Sequence, residues 1–413
     1  MRLLWSSCAP HCPSGYGVVT SEVTSRLKPY HDIAIHAFYG VKGGQMDWGG
    51  ITIYPDDIGD YCSMIRPYYQ EHKADLVITL FDAFAIREDT IRGLNWVSYV
   101  PVDHKTLPPP VEGSIKNALH VISMSRFGER ILNDHEIDNT YIPHGVDTKN
   151  YYPDEDIRRE ARKAFDCSDV FTIGTIGLNV DERKNYEGMM RVFQRFHQKH
   201  PDSVWLIYTR WNENRNGVPA LVDLPKALGL GDAVRFNKPI LIYRGATKQE
   251  MNATYNAFDI FMLLSKGEGF GIPLVEAQSC GVPVLVTDST AMTELCGSGW
   301  LARVEKEQWT GLNAFRDLVD ENDALEKLEL AYDLWVRGKM PKLKSTARRF
   351  ALDYNWDKIV KKYWRPFMDS AKEMITPGGK YKIFYIRTAR QEKRKWSELR
   401  VGDNSQQADI WYN

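Results

Sequence analysis

Residues 265–288, SKGEGFGIPLVEAQSCGVPVLVTD, concentrate side chains suited to holding a bulky anion. Gly267, Gly269 and Gly271 remove side chains where a backbone could approach such a group. The order reads strand, glycine-rich turn, helix, then Gly281-Val-Pro before another strand. Pro273 suits the first helical turn, where its missing N–H costs nothing. The free N–H groups and dipole of that helix start favour a phosphate or diphosphate. Glu268 precedes the turn, and Glu276 follows eight positions later, expected in the first helical turn. A carboxylate there cannot share the phosphate spot and would accept hydrogen bonds from hydroxyls such as those of a ribose. Glu268, on the turn itself, could face whatever is attached beyond the phosphates. On composition alone this is a phosphate-binding turn; the bland alternative is a glycine turn with a capping glutamate.

The elements that must position this turn follow from hydrophobic patterning. Strands are predicted at 2–5, 32–38, 51–54, 75–80, 95–100, 120–124 and 140–142. Several are continuous apolar runs without alternation, as expected of strands buried on both faces. Helices at 21–27 and 115–119 are candidate crossovers. Strands alternating with helices point to an α/β, doubly wound parallel sheet. Residues 147–169 are polar and read as a connector with an Arg/Glu-rich helical stretch. The pattern then restarts, with strands at 170–177, 203–209, 233–236, 259–264 and 282–287. Helices between them are predicted at 186–199, 221–228, 247–257 and 273–279. Two α/β domains joined by a short linker imply a cleft where a ligand sits. Helical stretches are expected at 325–336 and 346–372, followed by a tail.

The 413 residues are 43% hydrophobic and carry 53 basic against 54 acidic side chains. That length implies two or three domains. The apolar fraction and near-zero net charge exclude disorder and a chain basic all over for coating nucleic acid. Six cysteines do not make a disulfide framework, and Cys8, His11 and Cys12 lack a second pair at metal spacing. No apolar run reaches the roughly 18–20 residues of a membrane span, and the N-terminal apolar stretch is short for a signal peptide. The expected location is cytoplasmic.

The residue order narrows this reading. Glu268 to Glu276, with GFG-x-P-L between them, resembles the E-x7-E signature of family-4 retaining glycosyltransferases, which have the GT-B fold of two facing Rossmann-like domains. GTIGLNVDERKNYEGMMRVF, residues 174–193, is similar to the opening of that family's C-terminal domain, where a basic pair contacts the donor diphosphate. Lys184 matches the family's lysine, whereas Asn179 stands where the arginine is expected, and Arg183 could supply the lost charge. YIPHGVD, residues 141–147, resembles the family's P-x-G-V-D at the domain boundary, with His144 read as structural. PSGYGVV resembles the glycine loop after the first strand, where Gly15 and Gly17 would let amides approach donor or acceptor. Asp103-His104 follows a strand where related enzymes carry an aspartate or histidine facing the transferred sugar. The helix around Tyr354-Asn-Trp356 resembles the one that returns to the N-terminal domain.

The resemblance implies four segments. They are an N-terminal acceptor domain (1–148), a C-terminal donor domain (149–345), a returning helix (346–375) and a basic tail of unassigned role (376–413). It implies retaining transfer from a nucleoside diphosphate sugar, UDP- or GDP-linked, as co-substrate with no bound cofactor. Lys184, Asn179 or Arg183, Gly15, Gly17 and the backbone of Gly269, Phe270, Gly271, Ile272, Pro273 and Leu274 would hold the donor. Glu276 would hold the ribose, Glu268 would orient sugar hydroxyls, and His104 would contact the sugar or acceptor from the opposite wall. Charge on the leaving diphosphate would be stabilised by lysine and helix dipole without a metal. The acceptor, whether glycan, lipid, protein or nucleic acid, is not specified, although loops 41–50 and 101–110 with Tyr39 and Trp48 are candidates. Asp56-Asp57 reads as a solvated pair. Residues 380–400 carry eight basic and two acidic side chains with interleaved aromatics, a composition open to an anionic surface or nucleic acid, or to a solvated docked element. Rival readings are an NAD-dependent oxidoreductase, disfavoured by Thr20 in place of a third glycine, and a nucleotide-sugar binder with little catalysis. A third keeps the enzyme class and takes DNA bases or a protein side chain as acceptor.

Overall fold

The computed structural model describes residues 1–56, 61–179, 181–214 and 219–375; the basic tail and Asp57 lie outside the described residues. The first sheet contains β1 (Arg2–Cys8), β2 (Asp32–Tyr39), β3 (Met46–Trp48), β4 (Ile51–Pro55), β5 (Leu76–Leu80), β6 (Trp96–Val100), β7 (His120–Ser123) and β8 (Asn139–Tyr141). Their order is β3-β4-β2-β1-β5-β6-β7-β8, parallel except for β3 against β4. Every residue of β5 and β6 is buried, because helices cover both faces and no polar alternation is required. The helix Gly15–Leu27 starts at Ser14, whose side chain accepts from the Gly17 amide, and buries Val19, Val23 and Leu27 along one stripe.

The second sheet holds β9 (Thr172–Ile176), β10 (Val204–Tyr208), β11 (Val234–Phe236), β12 (Ile260–Leu263), β13 (Val284–Thr287) and β14 (Gly299–Ala302). The order is β11-β10-β9-β12-β13-β14, all parallel. The connector folds as a helix, Glu155–Ala164, pinned to this sheet by Arg158 and Arg162, which donate to buried Asp259 at 2.5 and 3.0 Å.

Three local expectations need correction. The helix expected at 115–119 is instead Pro109–Ile115, because the run Pro108-Pro109-Pro110 presets the backbone for a helical start. The stretch 346–372 is not one helix. Met340–Ala351 stays with the second domain, where Arg348 donates to the Ser279 carbonyl at 2.7 Å. The chain then breaks, and Asn355 caps a new helical run by accepting from the Asp357 and Lys358 amides. That run crosses to the first sheet, where buried Trp364 lies 5.4 Å from the Trp5 ring and 5.3 Å from Tyr99. Outgoing and returning linkers lie side by side, with Val146 N–H donating to Tyr354 O at 2.8 Å. Finally, an unanticipated antiparallel hairpin, β15 (Val304–Trp309) and β16 (Phe315–Val319), is inserted between β14 and the helix Glu321–Val336.

Candidate active site

The carboxyl ends of both parallel sheets face a cleft of about 1110 Å³, the place where open α/β sheets bind ligands. The turn after β12 and the turn after β9 meet there. Glu268, 5% exposed, accepts from Arg183 Nη1 at 2.5 Å and from Lys184 Nζ at 2.6 Å. Its backbone amide donates to Thr290 Oγ1 at 2.9 Å, so the carboxylate is fixed from behind as well. Burial alone would raise the Glu268 pKa; Arg183 and Lys184 outweigh it and bring it down to about 2. Burial also works against the Arg183 charge, but Glu268, Asp181 and Asp103 outweigh it and keep the guanidinium protonated. For Lys184 burial wins, and its pKa falls below the ordinary lysine value despite Glu268. Two cations thus share one carboxylate at the mouth of the helix Ile272–Ser279.

The glycines of this turn have a tertiary role that composition does not reveal. A Cβ on Gly267 would lie 2.1 Å from the Asp103 carbonyl oxygen, and one on Gly269 would lie 2.6 Å from Pro101 Cβ. They let the loop after β6 press against the turn after β12, across the cleft. Gly271 has φ +108 and caps the helix, a conformation that disfavours any side chain. Leu274 N–H donates to Gly271 O at 2.9 Å and Pro273 has no N–H, so the backbone groups left to face an anion are those of Gly269, Phe270, Gly271 and Ile272. The Phe270 side chain is core, 5.0 Å from the His144 ring, and Leu274 is fully buried. Glu276 lies beyond the first turn of Ile272–Ser279, a correction to its expected position. Burial lifts its pKa to about 7, against hydrogen bonds from Tyr255 and Tyr151.

Several residues are placed otherwise than expected. Asn179 is buried behind its loop, donating to the Pro219 carbonyl at 3.1 Å, and does not line the cleft. Arg183 does line it. Gly15 borders the cleft, but the Gly17 amide is taken by Ser14 Oγ, and a Cβ there would strike the Cys12 carbonyl at 2.3 Å. His104 is 1% exposed and held on both ring nitrogens: Nδ1 lies 2.7 Å from Asp103 Oδ1 and Nε2 lies 3.1 Å from Thr310 Oγ1. It lines the cleft beside Asp103, packed between the loop after β6 and the hairpin. His144 is buried beside Tyr99. The Tyr99 hydroxyl donates to Ile142 O at 2.8 Å, which leaves His144 Nδ1 to donate to it at 2.7 Å, and burial drives the His144 pKa down to about 3. Asp56 is buried 3.6 Å from His36 rather than solvated, and neither Tyr39 nor Trp48 lines the cleft.

Asp82 and Arg316 are among the charged cleft residues that the sequence did not single out. Asp82, at the end of β5, has its pKa raised to about 6 by burial and by Asp103, against Arg183 and Arg316. Arg316, on the hairpin, donates to Asp103 Oδ2 at 2.8 Å. The polar residue ending a buried strand was the available signal for Asp82; Arg316 lies in a segment without a motif. Among the described residues, no group of three or more His, Cys, Asp or Glu could hold a metal ion, and no helix is long and apolar enough to cross a membrane.

Residues 170–322 match the family model described as glycosyl transferases group 1 and form a domain of that type. A D-inositol 3-phosphate glycosyltransferase of Salinispora arenicola is 32% identical over 141 residues, covering 34% of this chain and 27% of the relative. A GDP-mannose-dependent alpha-(1-6)-phosphatidylinositol monomannoside mannosyltransferase of Mycolicibacterium smegmatis is 28% identical, covering 37% of this chain and 39% of the relative. The matches thus span about a quarter to two fifths of these relatives' length. Among solved structures, sucrose-phosphate synthase from Thermosynechococcus elongatus superposes with a TM-score of 0.69 at 14% identity, covering 89% of this chain and 98% of that one. Anabaena HepE, solved with UDP-glucose, gives 0.65 at 15% identity, covering 89% and 100%. The fold is GT-B, two facing Rossmann-like domains.

Proposed function

We propose that the protein transfers a sugar, with retention of configuration, from a nucleoside diphosphate sugar to an acceptor hydroxyl. The carrying observation is the pair Arg183–Lys184 converging on Glu268 beside the helix Ile272–Ser279, inside a cleft between two α/β domains. The likeness of residues 170–322 to glycosyl transferases group 1 supports the same reading.

In this reading the donor diphosphate takes the place of Glu268 as the partner of the two cations. As the C1–O bond to the diphosphate breaks, Arg183, Lys184 and the backbone N–H groups at the helix start stabilise the charge that builds on the leaving oxygen. A new C1–O bond forms to the acceptor, whose proton leaves with the diphosphate. Glu268, freed from its cations, accepts from sugar hydroxyls, and Glu276 accepts from the ribose. Arg183 supplies the positive charge that Asn179 lacks. Asp103 and Asp82 close the opposite wall, where His104 acts by holding Asp103.

Thermal shift and slow donor hydrolysis against a panel of UDP-, GDP- and ADP-sugars test this. Stabilisation by at least one of them is expected; stabilisation by NAD alone would sink the reading. Within that assay, Lys184→Ala is expected to weaken nucleotide binding and transfer together. Glu268→Ala is expected to abolish transfer with modest loss of binding, and a wild-type rate would remove its assigned role.

A further inference from the structure

The hairpin β15–β16 is rooted in the second domain and grips the first. At its base, Asp317 N–H donates to Lys266 O at 3.1 Å, and Ser289 Oγ donates to Asp317 Oδ2 at 2.7 Å. Across the cleft, Phe315 O accepts from the Lys105 amide at 2.9 Å, Glu307 accepts from Lys105 Nζ at 2.6 Å, and Thr310 meets His104. A scaffold hairpin would pack on its own domain; this one makes polar contacts to three consecutive groups of the opposite wall, Asp103, His104 and Lys105. Its Arg316 lines the cleft, 14% exposed, and its buried Nε–H has no hydrogen-bond acceptor. Arg183 Nε approaches the same Asp103 oxygen at 3.5 Å from the turn after β9.

Resting on the glycosyl-transfer reading, we propose that the hairpin belongs to the active site and that Arg316 is a positioning residue, holding the Asp103 carboxylate aimed into the cleft to accept hydrogen bonds from sugar hydroxyls. Asp103 is surrounded by His104 on its own loop, Asp82 at the end of β5, Tyr16 on the first helix, Arg183 and Arg316. Among these described neighbours, Arg183 and Arg316 bring a permanent positive charge, and donor binding draws Arg183 toward the diphosphate. Arg316 then remains as the cation that keeps Asp103 ionised. Burial pushes the Asp103 pKa up, while His104, Arg316 and Arg183 pull it well below the carboxylate range. The hairpin also makes the arrangement conditional: opening the cleft separates Arg316 from Asp103, so the carboxylate is aimed only when the domains are closed.

The test compares the full-length protein with Arg316→Gln and Arg316→Lys. The probe is whichever UDP-, GDP- or ADP-sugar most stabilises the wild type, followed by its hydrolysis, with Tm and nucleotide affinity measured alongside. For Arg316→Gln, kcat should fall about tenfold or more while nucleotide affinity stays within about threefold. Arg316→Lys should recover part of the rate. Asp103→Asn with Arg316→Gln should be no slower than Asp103→Asn alone. A merely structural hairpin would lower Tm and leave kcat within about threefold, and that result overturns the proposal, as does a double variant whose losses multiply. If Arg316→Gln does not fold, Arg316→Lys carries the test by a smaller fall in kcat at unchanged nucleotide affinity. A wild type that neither binds nor hydrolyses any nucleotide sugar overturns the transfer reading and this inference with it. A wild type that hydrolyses while Arg316→Gln matches it overturns this inference alone.

Discussion

Gly267→Ala gives the sharpest probe of whether the closed cleft is the working state. Its Cβ would lie 2.1 Å from the Asp103 carbonyl oxygen, whereas carbon–oxygen contacts settle near about 3.3 Å. The two walls must therefore part by roughly 1 Å. Overpacking of this kind costs about 1–3 kcal/mol when it cannot be relieved. Here it can, because the ties across the cleft include a half-exposed ion pair, Lys105–Glu307, worth about 0–1 kcal/mol. Opening is cheaper than unfolding, so Tm should fall little. The contacts proposed for nucleotide come from the second domain, so affinity for UDP or GDP should stay within about threefold, under 1 kcal/mol. Transfer or donor hydrolysis should fall about a hundredfold, the usual penalty for a 1 Å misplacement of reacting groups. Calorimetric nucleotide binding and hydrolysis rates, taken on one preparation, measure the two quantities. Wild-type hydrolysis by Gly267→Ala would refute the reasoning, since the contact between the loop after β6 and the turn after β12 would then be irrelevant to catalysis.

Glu276 supplies a pH prediction. Its folded pKa is raised to about 7, so the folded state binds the extra proton, and this group's contribution to stability declines as pH rises from its unfolded value toward 7. Glu276→Gln should flatten the Tm profile over that interval. For nucleotide binding the sign reverses, because only the carboxylate is an unrestricted acceptor for ribose hydroxyls: wild-type affinity should tighten from about pH 6 to about pH 8, and the Glu276→Gln variant should show a flatter response. Trp364→Ala removes a fully buried ring packed on Trp5 and Tyr99; a loss of about 3–5 kcal/mol is expected in urea unfolding of the first domain. A loss below about 1 kcal/mol would mean that the returning helix contributes little to that core.

The two sheets were legible because their strands are short unbroken apolar runs, such as Leu76–Leu80, which water-facing structure cannot tolerate. The turn around Glu268 was legible because glycines, a proline and two carboxylates at fixed spacing are rare together. The hairpin was not. Val304–Trp309 is mostly exposed and charged, and only pairing with Phe315–Val319 makes it a strand. The break at 352–355 left a readable trace in Asn355, a capping residue, but the apolar stripe runs through it on both sides and masks the change of domain.

Residue type and local spacing determined by themselves where strands lie, which turn can hold an anion and which lysine is near it, because these depend on neighbours along the chain. What the amide of Asn179 bonds to, why Gly267 and Gly269 lack side chains, that His104 packs against the hairpin, and that Arg316 joins Asp103 were decided by tertiary structure. Each depends on a group far away in sequence and close across the cleft: Arg316 lies 213 positions from the carboxylate it holds. Electrostatic and steric contact act through space, and no periodicity along the chain encodes that proximity.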